Sequence, residues 1–263
     1  MSTARSALVV LLSAWFPVIT CVPATVRAAP NQAPAAALSG DLPSDQELDG
    51  LLLAKKWNDL AAALSRAKSP GSIIRMLDWL RSRLDAGGGS LLGFIYAKDL
   101  WDLGEAQKVD DPNKDLRVTA GLITLYTYEL IAIDGAKCAD HSAPGHRVDQ
   151  LLMNNAPALA YLKAQPPELK AKVVDLAIAM EKMTAPLRKL DDLLCRSGLE
   201  EMQAGIAAGK TREVPTPPGQ IGKTVEVDPP ADFAPRLLTP QSYLPDQEKA
   251  RANMKATLLK LVQ

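Results

Sequence analysis

Residues 44–84 read SDQELDGLLLAKKWNDLAAALSRAKSPGSIIRMLDWLRSRL, and this stretch decides the fold class. Ser44 stands three residues before Glu47, the spacing of a capping box, in which each side chain satisfies the other's exposed amide at a helix start. Leu53, Trp57, Leu60 and Leu64 then recur at intervals of four, three and four, one apolar stripe at helical period. Ser69-Pro70 marks a second start, because proline loses nothing at the first helical position. Ile73, Leu77, Leu80 and Leu84 repeat the same spacing. Two matched stripes joined by a short turn predict an antiparallel helical hairpin.

The pattern continues outward. Gly87-Gly-Gly-Ser90 ends the hairpin, and Ser90 is placed to cap a third helix that runs to about Leu103 and stops at Gly104. A polar loop, Glu105 to Lys114, leads to the most apolar segment, 115–134, whose run from Val118 to Tyr128 is apolar on most faces. A helix of that kind belongs at the centre. Its β-branched residues also suit a strand, but the uninterrupted length favours helix. After an irregular stretch at 135–146, helices are expected at 147–164, 167–184, 186–197 and 199–208. Prolines 166, 167 and 186 fall at their starts.

From 213 to 245 the composition changes: eight prolines fall among 33 residues, together with Ile221, Val225, Phe233, Leu237 and Tyr243. A free linker would hold fewer apolar residues, so this reads as an extended arm along the body. An amphipathic helix, 246–263, closes the chain. The expectation is an all-α protein: a helical domain over 43–212 forming an irregular multi-helix bundle of antiparallel hairpins, then the arm and the C-terminal helix. No segment recurs at a fixed period, which argues against a solenoid.

Ahead of this lies a segment of another kind. One positive charge at Arg5, an apolar run from Ala7 to about Val22 and the tripeptide Val26-Arg27-Ala28 form the layout of a secretory signal peptide, residues 1–28. The run falls short of the roughly 20 residues that span a bilayer. Residues 29–42 would be a disordered lead-in. Cys21 offers a lipidated N-terminus as a minor alternative, although Thr20 is bulky for such a processing site. Removing residues 1–28 takes away two arginines and no acid, leaving 28 basic against 30 acidic residues. That balance disfavours nucleic acid or an anionic membrane surface as the main partner. Aromatic content of 5% disfavours a β-sandwich or barrel. Location is expected to be periplasmic or secreted, with no membrane-spanning segment after cleavage. There Cys138 and Cys195 are expected to form one disulfide; two buried thiols are the alternative.

Reactive side chains concentrate in Cys138-Ala-Asp140-His141-Ser-Ala-Pro-Gly-His146-Arg147-Val-Asp149, which holds both histidines of the chain. His141, His146 and Asp140 are residue types that bind metals or move protons. Their spacing matches no ligand signature, so a structural reading competes, with Asp140 or His141 capping local amides. Glu129 sits on the apolar central helix and needs a partner from Arg117, Lys137 or Arg147, or else lines a pocket as an acid with a raised pKa. Trp79 lies between Arg75 and Arg83 at four-residue spacing, either exposed as a contact hot spot or packed against a helix. Trp57 and Trp101 read as core. The glycine run before Ser90 could offer amides to an anion, but no lysine follows it as in a phosphate loop. Asp191-Asp192 and Glu200-Glu201 read as solvated surface. No Gly-x-Ser-x-Gly elbow and no dinucleotide-binding glycine pattern is present. Two functions follow: a non-enzymatic exported protein that contacts an envelope protein or other envelope component, with no cofactor; or a metal- or small-molecule-binding protein, hydrolytic in one form, using the loop 138–149.

Overall fold

The computed structural model describes residues 42–216, 222–230 and 232–263. Residues 1–28, expected to be a signal peptide, with Cys21 among them, and all of the expected 29–42 lead-in except Leu42 lie outside the described residues. Of the residues described, 69% are helical and 5% are in strands.

The capping box forms as read: Ser44 Oγ accepts from the Glu47 amide, and the Ser44 amide donates to Glu47 Oε2 at 2.8 Å. It opens α1 (Asp45–Leu53), followed by α2 (Trp57–Leu64) and α3 (Pro70–Asp85). The single stripe expected over 53–64 is broken between α1 and α2. The Lys55 amide donates to Leu52 O and the Lys56 amide to Leu51 O, the paired bonds of a Schellman stop. Lys55 takes the left-handed conformation, φ 55°, where glycine is the usual signal. Leu48, Leu60, Ala63 and Leu64 are therefore the buried residues of the two helices, and Leu53 is left 78% exposed.

Next come α4 (Ser90–Ala106) and α5 (Leu116–Asp134). Helix α5 is the hub, packed against α4, α6 (Ser142–Asn154), α7 (Ala156–Lys163), α8 (Pro167–Thr184) and α10 (Pro240–Leu261). Helix α4 does not stop at Gly104. That residue and Gly93 instead let α4 approach α5 closely: a Cβ at position 93 would lie 2.1 Å from Thr127 Oγ1. Buried hydroxyls on α5 return to its own carbonyls, Thr124 to Ala120 and Thr127 to Ile123, so burying them leaves no donor unpaired. By length and composition the segment Leu116–Lys137 could cross a membrane, against the expectation that no stretch beyond the first 28 residues is long and apolar enough; 67% of its most apolar window is buried inside the structure.

Several boundaries differ from expectation. Residues 142–146, read as irregular, form the start of α6; Asn155 then separates α6 from α7, where one helix over 147–164 was expected. Segment 186–197 holds only short 3₁₀ turns, at Ala185–Leu187 and Asp192–Cys195. After α9 (Leu199–Ala207) the expected arm contains an antiparallel hairpin, β1 (Thr211–Val214) with β2 (Thr224–Val227), Thr211 opposite Val227. Residues 236–238 hydrogen-bond to 137–139 through Ala139 N to Arg236 O and Leu238 N to Lys137 O. Helix α10 starts at Pro240, not 246. Pro240 fits the first turn, and Pro245 forfeits one backbone bond inside the helix.

Cys138 and Cys195 stand in disulfide geometry with Cα atoms 5.2 Å apart. They anchor a small apolar cluster with Ile131, Leu151 and Leu194, beside the main core.

Candidate functional site

The residues singled out from sequence are mostly spent on structure. Asp140 Oδ1 accepts from the Ser142 amide at 2.9 Å, and its Oδ2 accepts from the Glu200 amide at 2.8 Å. One carboxylate thus closes the N-terminal turns of both α6 and α9. Burial works against its charge, but hydrogen bonds from the Ser142 hydroxyl and from the Glu200 and Ser142 amides hold its pKa below the usual carboxylate range. His146 lies on α6, with Nε2 3.0 Å from Gln150 Nε2. His141 lies elsewhere, on a shallow concavity of about 310 Å³ shared with Pro144, Val148 and Asp246. Among the described residues no three His, Cys, Asp or Glu side chains converge as metal ligands would.

Trp79 is only 2% exposed, so of its two readings the packed one holds and the exposed contact does not. Its Nε1 donates to Asp49 Oδ1 at 3.1 Å. Arg83 grips the same carboxylate with Nε and Nη2, both at 2.6 Å, and its guanidinium lies 5.5 Å from the Trp79 ring centroid. That bidentate pair holds Asp49 below the usual carboxylate range. Arg75 donates to Leu42 O at 2.7 Å. The Arg75–Trp79–Arg83 face therefore receives α1 and the residues that lead into it.

Glu129 is 1% exposed, and its Oε1 has no hydrogen-bond partner. Burial, reinforced by the negative charge of Glu181, pushes its pKa up to about 8, against the pull of Arg188 and Lys182. Its expected partners are engaged elsewhere: Arg117 with Asp115, Lys137 with Asp134, Arg147 with Gln150. Beside it runs a buried ionic network the sequence did not reveal. Arg188 bonds Asp134 Oδ2 at 2.7 Å and Glu181 Oε1 at 2.6 Å, and Arg251 of α10 reaches Glu181 Oε1 at 3.1 Å. Glu181 and Arg188 are seven residues apart, but Asp134 and Arg251 come from distant segments, so no local spacing betrays the network as a whole.

The glycine run is also occupied from within the chain. Asp191 Oδ2 accepts from the Ser90 amide at 2.9 Å and from its hydroxyl at 3.0 Å. Gly87, at φ 86°, lies so close to the Leu187 and Arg188 backbone that a Cβ would approach within 2.6 Å. Asp191 is thus a cap, and Glu201, buried and paired with Arg196, is no surface acid either.

Between this packed turn and the α1–α2 junction a groove of about 430 Å³ is open. Leu52, Leu53, Trp57, Leu91 and Leu190 supply its apolar walls, and Gly87 to Gly89 lie along it. Trp57 is half-buried here, not in the core as expected. Leu53 and Leu190 stay 78% and 48% exposed. Across the groove Lys55 Nζ bonds Asp192 Oδ2 at 2.9 Å. The sequence signal for the groove was scattered and partly misleading: Leu53 and Trp57 fit a helical stripe that the break at Lys55 cuts apart, and the glycine run lies 100 residues before the segment that packs on it. Set against known proteins, the chain matches no family model, no curated protein and no solved structure.

Proposed function

We propose that this chain is an exported envelope protein that acts by binding, without catalysis, and that the groove flanked by Leu53 and Leu190 is its contact surface. One contrast carries the reading. Of the side chains singled out, Asp140 is consumed by two amides and Trp79 by Asp49, and Glu129, although its Oε1 is unpartnered, is 1% exposed and not part of the groove's lining. The groove is the reverse: concave, mostly apolar and edged by leucines that no core packing accounts for. Concavity with few placed polar groups is the usual form of a binding site. Export rests on the layout of residues 1–28 and on a cysteine pair suited to an oxidising compartment. The helices around α5 serve as scaffold, read as an irregular bundle of antiparallel hairpins.

The test is to express the full chain in a bacterial host with a photo-crosslinking amino acid replacing Leu53, Leu190 or, as a control, Lys98 on α4. The expected result is a shortened protein in the periplasm, with adducts detected by mass at positions 53 and 190 and none at 98. Full-length protein retained in the cytoplasm would remove export from the reading. Equal labelling at all three positions would remove the groove.

A further inference from the structure

Resting on the groove as the binding surface, we infer that it takes a single-chain amphiphile with one carboxylate head, the tail between Leu53, Trp57 and Leu190 and the head at Lys189. The walls determine the tail. They are leucine and tryptophan side chains with half or more of Leu53 and nearly half of Leu190 open to water, surface that an apolar chain would cover favourably.

The charges at the rim determine the head. Three acids border the groove, and each is already committed: Asp49 to Arg83 and Trp79, Asp191 to the Ser90 amide and hydroxyl, Asp192 to Lys55. A cationic ligand would therefore meet no open carboxylate. Among the bases, Arg83 and Lys55 are paired, while Lys189 is exposed and makes no ion pair among the described residues. The rim holds three acids and three bases, and Lys189 is the base among them at which a monovalent anion gains a contact without displacing an ion pair. A phosphate monoester, with a charge near −2, would set its second charge against Asp191 and Asp192.

Access fits the same picture. The Lys55–Asp192 bridge spans the groove with side chains 55% and 35% exposed, and such surface pairs hold only weakly. An entering tail can part it without disturbing the core, and because parting frees Lys55 and Asp192 together the charge balance at the rim is unchanged.

The experiment is calorimetric titration of the intact mature protein with laurate below its micellar range, set beside dodecylammonium, dodecyl phosphate and dodecyl maltoside. Wild type, Lys189→Glu and the Leu53→Asp/Leu190→Asp double variant are compared, each verified as folded by its circular dichroism melt; all three sites are exposed. The inference expects saturable one-to-one binding of laurate, ahead of the other three probes. Lys189→Glu should weaken laurate about five- to tenfold, an exposed attraction turned into repulsion, and should favour dodecylammonium. The double variant should lose laurate by more than about tenfold. Absence of saturable laurate binding, or binding indifferent to the double variant, would overturn the inference. If laurate fails while crosslinks still form at 53 and 190, the groove stands and the amphiphile falls; if both fail, both fall.

Discussion

Asp191 caps the helix that begins at Ser90 from 101 residues further along the chain, taking both the Ser90 amide and its hydroxyl on one carboxylate oxygen. A capping interaction is ordinarily local. Here it also fixes the 187–192 segment against Gly87 to Gly89 and so builds one wall of the groove. Asp191→Ala is expected to cost about 1–2 kcal/mol, the range of a lost helix cap. It should also speed amide exchange at residues 88–91 and 187–192 together. Exchange faster in only one of the two segments would show that the cap does not couple them.

How much of this could be read in the sequence depends on whether the signal was local. The capping box at Ser44, the starts at Pro70 and Pro167 and the extent of α5 all came from spacings within a few residues. The break at Lys55 did not, because a lysine holds the left-handed position that a glycine would have announced. Asp140 was correctly placed among residues able to cap backbone amides, yet only one of its two helices was near in sequence. The choice between a packed and an exposed Trp79 stayed open for a related reason: Asp49, which binds both Trp79 and Arg83, lies 30 residues from that tryptophan.

The Cys138–Cys195 pair joins the end of α5 to the segment before α9 and spans 57 residues. Constraining a loop of that length in the unfolded chain is worth about 3–4 kcal/mol on the chain-entropy model. Reduction, or Cys138→Ser with Cys195→Ser, should lower Tm by several degrees without loss of helical content. A melt indifferent to reductant, with thiols confirmed free by labelling, would mean that the bridge contributes nothing.

Arg188 is a buried charge, its side chain 3% exposed and shared between Asp134 and Glu181. Removing it leaves two buried carboxylates, though Lys137 and Arg251 each retain a hold on one of them. Arg188→Met is expected to destabilise by about 3–5 kcal/mol, as when one partner of a buried ion pair is removed. Adding Glu181→Gln should restore part of that loss, because it removes one of the stranded charges. Additive losses in the double variant would exclude the coupling.

Glu129 contributes a pH dependence of stability whose sign follows from its burial. Its pKa rises from 4.5 in the unfolded chain to about 8 in the folded one, so folding favours the protonated form. The resulting stability is fully present below pH 4.5 and is lost as pH rises through about 8, at a slope of up to about 1.4 kcal/mol per pH unit. Asp99, pushed up to about 6 mainly by burial, acts in the same direction over a lower window, from 3.8 to about 6. Carboxylates held low, such as Asp49 and Asp140, oppose both on strong acidification. Denaturant unfolding followed across pH should therefore show greatest stability near pH 5 and a decline towards pH 8. Glu129→Gln keeps a neutral group of similar shape at the site. It should match wild type at pH 5, exceed it at pH 8 and flatten the profile between 6 and 8, while Asp99→Asn should flatten only the part below 6. A Glu129→Gln profile parallel to wild type throughout would mean that another group carries the slope.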